Sequence, residues 1–130
     1  MDYDHTQTLR EAGFRATPGR LAILETLSKA KSPLTIDDLS KKLRGQLNLV
    51  TLYRALHALV SAGIINQILL GNNMRFEYTP QRPHHHHVVC TDCGTIEDVE
   101  VCPLPILPKV KKFNSYSHTL EFSGLCQTCA

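Results

Sequence analysis

Two C-x-x-C pairs, Cys90/Cys93 and Cys126/Cys129, have 32 residues between them, and no other feature narrows the fold of this chain as far. One C-x-x-C turn lets two thiolates grip one ion. Two such turns supply four soft ligands, the set of a closed tetrahedral structural zinc site. The gap exceeds that of a compact zinc ribbon, so the pairs are expected to clasp a small subdomain. Gly94 eases the first turn. The competing readings are two disulfides or a thioredoxin-like motif. Two matching pairs in a chain that begins MDYDHTQTLREAGF, without the basic and apolar segments of a secretory leader, favour metal. No apolar run is long enough for a bilayer. The expected location is cytoplasmic, away from membrane.

The two halves differ in chemistry. Residues 1–82 carry eleven Lys/Arg against seven Asp/Glu; residues 83–130 carry three against five, together with all five cysteines and five of the seven histidines. A basic half without cysteine suits a polyanion partner, although the excess is small. The stretch TPQRP, with two prolines in five positions, reads as a hinge. The chain is therefore divided into a first domain at 1–79, a hinge at 80–83 and a second domain at 84–130.

The first half reads as helices followed by a hairpin. Thr17-Pro18 is an N-cap followed by proline at the first helical position, and Leu21, Ile23, Leu24 and Leu27 supply an apolar stripe. Thr35 with Asp38 forms an acidic capping box, Ile36, Leu39 and Leu43 face inward, and Gly45 ends that helix. Asn48 caps a third helix with Leu49, Leu52, Leu56, Leu59 and Val60 as its buried face and Thr51, Tyr53, Arg54, His57 and Ser61 opposite. Strands at 64–70 and 74–78 flank Gly71-Asn72-Asn73. Three helices and a hairpin give the order of a winged helix, whose last helix enters the major groove; an ordinary amphipathic helix with a solvated face is the blander reading. The second half reads as α+β, with strands at 85–90, 95–101 and 118–123 and a helix at 104–113 whose start is crowded by prolines.

Four consecutive histidines, 84–87, lead into the first C-x-x-C pair. The run is internal, unlike a tag. In an extended strand, side chains alternate between faces, so His85 and His87 point one way and His84 and His86 the other. Two different metal sites suit that geometry better than one. Imidazole takes zinc, iron, copper or nickel. Further ligands would come from Glu77, Asp98, Glu100, Cys102 and His118. A solvated polyhistidine run with incidental metal affinity is the alternative.

Taken in order, R-x-T-P-x-R at 15–20, V-T-L-Y-R-A-L at 50–56, A-G-I-I at 62–65, F-E-Y at 76–78, H-H-H-H-V-V-C-T-D-C-G at 84–94 and G-L-C-Q-T-C at 124–129 resemble the ferric uptake regulator family of bacterial metal-sensing repressors over almost the whole chain. The resemblance implies an α+β protein with an N-terminal winged-helix domain and a small C-terminal α/β dimerisation domain. It implies a homodimer that binds double-stranded, palindromic operator DNA and represses genes of metal homeostasis. It implies a structural zinc at Cys90, Cys93, Cys126 and Cys129. A regulatory Zn²⁺ or Fe²⁺, with Mn²⁺ a further option, would sit at Glu77, His85, His87 and Asp98. A second site would use His84, His86 and His118. Arg15 would reach the minor groove, with Thr51, Tyr53 and Arg54 at the major groove.

Two departures from the family pattern stand out. The family's iron and peroxide sensors place a histidine near the start of the second core helix, where this chain has Lys31-Ser32-Pro33-Leu34. The acid expected early in the helix after the second strand is missing from Cys102-Pro103-Leu104-Pro105. Cys102 either replaces it, favouring a softer metal such as zinc, or is a small buried apolar residue. Zinc, iron and peroxide branches of the family all stay open. No H-E-x-x-H or deaminase-type pattern is present, so an enzyme is not expected; a metal-storage module would leave the capped helices and the hairpin without a purpose.

Overall fold

The structure, a computed structural model, describes residues 4–80, 84–100, 102, 108–114 and 118–130. The chain separates into two compact units, Met1–Gln81 and Arg82–Ala130. The first runs α1 (His5–Glu11), α2 (Pro18–Lys29), β1 (Leu34–Thr35), α3 (Ile36–Lys42), α4 (Leu49–Ser61), β2 (Asn66–Leu70) and β3 (Asn73–Glu77). Its antiparallel sheet has the order β1-β3-β2, and the β2–β3 hairpin is the wing of a winged helix.

Each helix starts where a side chain can satisfy an orphan backbone N–H. The Thr17 hydroxyl accepts from the Arg20 N–H, and Pro18 opens α2. Thr35 and Asp38 exchange both bonds of a capping box, each 3.1 Å. Asn48 Oδ1 accepts from the Thr51 N–H at 2.8 Å. The wing turns at Gly71, whose φ of 61° lies in the left-handed region that costs glycine nothing. The helices converge on one aliphatic cluster. Leu9, Ile23, Leu24, Leu39 and Leu59 are completely buried, with Leu52, Leu56, Phe76 and Tyr78 packed among them. Removing one such leucine side chain typically costs about 2–5 kcal/mol.

Sequence reasoning missed two elements here. Helix α1 buries only Leu9, so no apolar period announces it; Asp4 caps it by accepting from the Gln7 N–H. His5 Nδ1 lies 3.1 Å from the hydroxyl of buried Tyr78, tying α1 to the residue after the wing. Strand β1 is two residues long and exists by pairing Leu34 with Phe76 and Thr35 with Arg75. One inward assignment fails: Leu49 is 51% exposed, because the first residue of α4 precedes the turn that meets the core.

The described part of the second unit is a three-strand sheet, β4 (His86–Cys90), β5 (Ile96–Val99) and β6 (Glu121–Gly124), in the order β5-β4-β6. Strand β4 pairs antiparallel with β5 and parallel with β6. The strands expected at 95–101 and 118–123 are thus real but shorter or shifted; Val101 lies outside the described residues, and 118–120 are not strand. Of the helix expected at 104–113, residues 104–107 lie outside the described residues, and 108–113 form a loop and turn. Pro108 removes a donor there, and Lys109, Val110, Lys111 and Lys112 offer no apolar stripe to bury.

Candidate metal centres and candidate nucleic-acid interface

The four-cysteine cluster follows from strand register. The parallel pair β4–β6 ends with Cys90 opposite Gly124, so both strands run off the sheet in the same direction. Each continues into its own C-x-x-C turn. The first turn is closed by the Gly94 N–H donating to the Cys90 carbonyl (3.0 Å) and the second by the Cys129 and Ala130 N–H groups donating to the Cys126 carbonyl. The Thr91 N–H donates to the Gly124 carbonyl at 2.8 Å and stitches the two turns together.

The four sulfurs lie within 4.8 Å of one another, and Cys93 and Cys126 are 3.7 Å apart. A tetrahedral zinc with Zn–S bonds of ~2.3 Å has S···S edges of about 3.8 Å. The electrostatics point the same way. Backbone N–H groups of Cys93 and Cys126 aim at Cys90 Sγ, at 3.5 and 3.4 Å, and hold its thiol down to about 6. The Thr95 hydroxyl lowers Cys93. Cys129 is pushed up by the crowding of the Cys126 and Cys93 sulfurs, a crowding that a bound cation relieves. None of the five cysteines is in a disulfide. The cluster fits a zinc site.

Strand β4 and the two residues just before it place histidines on both faces. On one, the His85 and His87 rings are 4.9 Å apart between centroids. His87 is paired across the ladder with Asp98, and its Nε2 sits 3.4 Å from the Asp98 carboxylate. Asp98 is therefore placed by sheet register, two imidazoles and one carboxylate on one face. Glu77 belongs to the first unit, where it ends β3.

On the other face, His84 Nε2 lies 2.9 Å from His86 Nε2 and 3.2 Å from His118 Nε2, and His86 and His118 are 3.3 Å apart. Cys102 Sγ lies 3.2 Å from His86 Nε2 and 3.5 Å from His118 Nε2. His86 is buried, and burial, followed by the neighbouring His84, lowers its pKa and keeps it in the neutral, ligand-competent form. The remaining ligand candidate, Glu100, follows β5 and is not a member of any of these groups among the described residues.

In the first unit, α4 buries Leu52, Leu56 and Leu59 and turns Thr51, Tyr53, Arg54 and His57 outward. Tyr53 is 54% exposed; Leu49 and Val50 are exposed beside it at the helix start, a short apolar surface that helical periodicity had assigned partly to the core. Arg15 is exposed ahead of α2, with its carbonyl accepting from Arg20 Nη1. The 31–34 stretch, without a histidine, is braced instead by Arg75 of the wing, whose Nη1 donates to the Pro33 carbonyl at 3.1 Å. Among the described residues no helix is long and apolar enough to cross a membrane.

Comparison with known proteins matches residues 11–123 to the model of the ferric uptake regulator family. The peroxide operon regulator of Bacillus subtilis is 33% identical, with 95% of this chain and 90% of the relative covered. The crystal structure of the Vibrio cholerae ferric uptake regulator is 29% identical, covers 95% of this chain and all of its own, and superposes with a TM-score of 0.71. The iron-containing Francisella tularensis ferric uptake regulator is 26% identical, with 90% of this chain and 95% of its own covered and a TM-score of 0.67. On the family match and these relatives together, the chain belongs to the ferric uptake regulator family.

Proposed function

We propose that this protein is a metal-dependent, DNA-binding transcriptional repressor that works as a homodimer in the cytoplasm. The observation that carries the reading is the group of His85, His87 and Asp98 on a strand anchored at its end by the four cysteines. A rigid zinc clasp at one end of β4 fixes the histidines at the other, which is what a site with modest, reversible affinity needs. In this reading Cys90, Cys93, Cys126 and Cys129 hold a permanent zinc. Glu77 joins His85, His87 and Asp98 around the regulatory ion, Zn²⁺ or Fe²⁺, with Mn²⁺ compatible with the same nitrogen–oxygen set.

Glu77 ends the wing, and only residues 78–84 separate it from His85. Shared ligation by Glu77 and the two histidines would tie the wing to the second unit across the prolines at 80 and 83. That lowers the conformational penalty of presenting two recognition helices to successive major grooves, about 34 Å apart. A twofold dimer then reads a palindrome. Thr51, Tyr53 and Arg54 face the bases: arginine pairs bidentately with guanine, and tyrosine meets thymine methyls. Arg15 enters the minor groove, where narrow A·T-rich sequence attracts it. Coupling is reciprocal, so operator DNA should tighten metal binding.

The test is DNA binding by untagged protein with its structural zinc in place. An operator selected from a random pool should be bound more tightly when Zn²⁺, Fe²⁺ or Mn²⁺ is added. His85→Ala/His87→Ala should remove that dependence. Unchanged metal dependence in the double variant would move the sensor elsewhere. A peroxide-sensing function is the second reading, favoured by the Bacillus subtilis relative; it requires that hydrogen peroxide abolish DNA binding by the iron-loaded protein and spare the zinc-loaded one.

A further inference from the structure

Three of the eight large hydrophobic side chains exposed among the described residues, Leu49, Val50 and Tyr53, fall within five consecutive positions at the start of α4. We propose that Val50, with Leu49 beside it, forms an apolar contact that reads the 5-methyl group of a thymine in the major groove, and so helps to set the operator sequence this protein selects. The proposal rests on the DNA-binding reading above and names a base-reading group beyond Thr51, Tyr53 and Arg54.

The first support is helical geometry. At 3.6 residues per turn, each residue advances by about 100° around the axis. Leu52, Leu56 and Leu59 then share one narrow sector, and all three are buried. Val50 lies about 150° from the centre of that sector. It falls between Tyr53 and Arg54, about 60° from the first and about 40° from the second, nearly one turn closer to the helix N-terminus. Val50 is 58% exposed and Leu49 51%. In helix-turn-helix proteins the N-terminal residues of the recognition helix contact the base edges. Val50 thus occupies the middle of the outward face at the end of the helix that meets the bases.

The second is what Val50 does not do for the fold. Its exposed side chain adds little to the core, and a β-branched residue is a poorer helix former than alanine. The dipole favours Asp or Glu in a first helical turn, yet that of α4 has neither, and none follows in its thirteen residues. A carboxylate there would repel phosphate. Apolar atoms stand where stability alone would place charge, which suits a helix that enters a polyanion.

The third is the chemistry of the groove. Adenine, guanine and cytosine offer hydrogen-bond donors and acceptors on their major-groove edges, and thymine adds a methyl group. A valine pressed on a polar edge strips its water and returns no hydrogen bond. Against the methyl, both partners bury apolar surface. Thr51 and Arg54 supply the polar half of the reading; the aliphatic patch distinguishes thymine from cytosine.

Uracil differs from thymine only in lacking that methyl. Full-length, untagged, metal-loaded protein is titrated against an operator selected from a random pool. It is also titrated against copies in which each pair of thymines related by the palindrome is replaced by uracil. At one such pair the wild type should lose about fifteenfold in affinity, about fourfold for each methyl, the equivalent of ~0.8 kcal/mol per buried carbon group. Val50→Ala should bind the thymine and uracil operators equally at that pair, keep its preferences at the others, and unfold at the wild-type temperature. No uracil penalty at any thymine, a penalty undiminished in Val50→Ala, or a loss in Val50→Ala that is equal on operator and random DNA would each overturn the proposal and leave the repressor reading standing. So would a lowered unfolding temperature, which would place the side chain in the fold rather than at the DNA. Failure to select any operator, with metal or without it, would overturn both.

Discussion

The two units solve the same problem, holding a short chain in one conformation, with different forces. The first buries a cluster of leucines and isoleucines drawn from four helices and closes it with Phe76 and Tyr78. Among the described residues the second buries only Val89 and Cys90 as apolar groups, alongside the polar His86 and His87. Its order comes from the strand ladder and from the four sulfurs at the end of β4 and β6. Structural zinc can supply about 10–16 kcal/mol of apparent binding free energy to a small domain. A unit with so small an apolar core can place histidines even on its central strand, where His86 and His87 are buried, if a metal clasp fixes the backbone. A unit held by packing can turn one helix face outward for DNA.

The comparison breaks most visibly if the clasp is removed. Cys126→Ser should cost the second unit its fold, through loss of zinc worth on the order of 10 kcal/mol, while the first unit keeps its own. Hydrogen exchange on the full chain checks this: protection should vanish across β4–β6 and persist in α2 and α4. Loss of protection everywhere would mean that the first unit leans on the second.

The converse change is smaller. Leu56→Ala, in the centre of the first core, should destabilise that unit by about 2–5 kcal/mol, with zinc content per chain unaltered. Thermal unfolding followed beside metal analysis separates the two. A variant that also lost zinc would show that the units are not held independently.

Arg54→Ala tests the face rather than the core. It should weaken selected-operator binding by about 1–3 kcal/mol if the guanidinium reads a base, without shifting thermal stability. An equal loss on random DNA would make Arg54 a phosphate contact. The smallest effect belongs to helix capping: Thr35→Ala removes half of the capping box of α3 and should cost the first unit about 1 kcal/mol, read as a lowered urea midpoint with unchanged slope.

Legibility in the sequence divided along the same line. The caps at Thr17, Thr35 and Asn48 were readable because each is a local rule, one side chain satisfying one N–H. The alternation of His84–His87 was readable because a strand has period two. What could not be read depends on contacts distant in sequence. Strand β1 exists only through Phe76 and Arg75, some forty residues on. Helix α1 is held by a cap, one buried leucine and the His5–Tyr78 contact across 73 residues. Leu49 fits the apolar period of α4 yet points to solvent, since periodicity does not say where along a helix the core begins. The cysteine spacing suggested that four sulfurs would meet, but the reason they do, the parallel register of Cys90 with Gly124, is invisible in a C-x-x-C motif.

The most direct test of the account is metal content per chain of untagged protein, measured before and after mild chelation. The account predicts more than one metal before and one zinc after, because the four-cysteine clasp resists a chelator that strips the histidine sets. A single metal before chelation, with no further uptake on titration, would contradict it: the histidines of β4 would then be no sensor, and the protein a DNA-binding member of its family whose signal enters elsewhere.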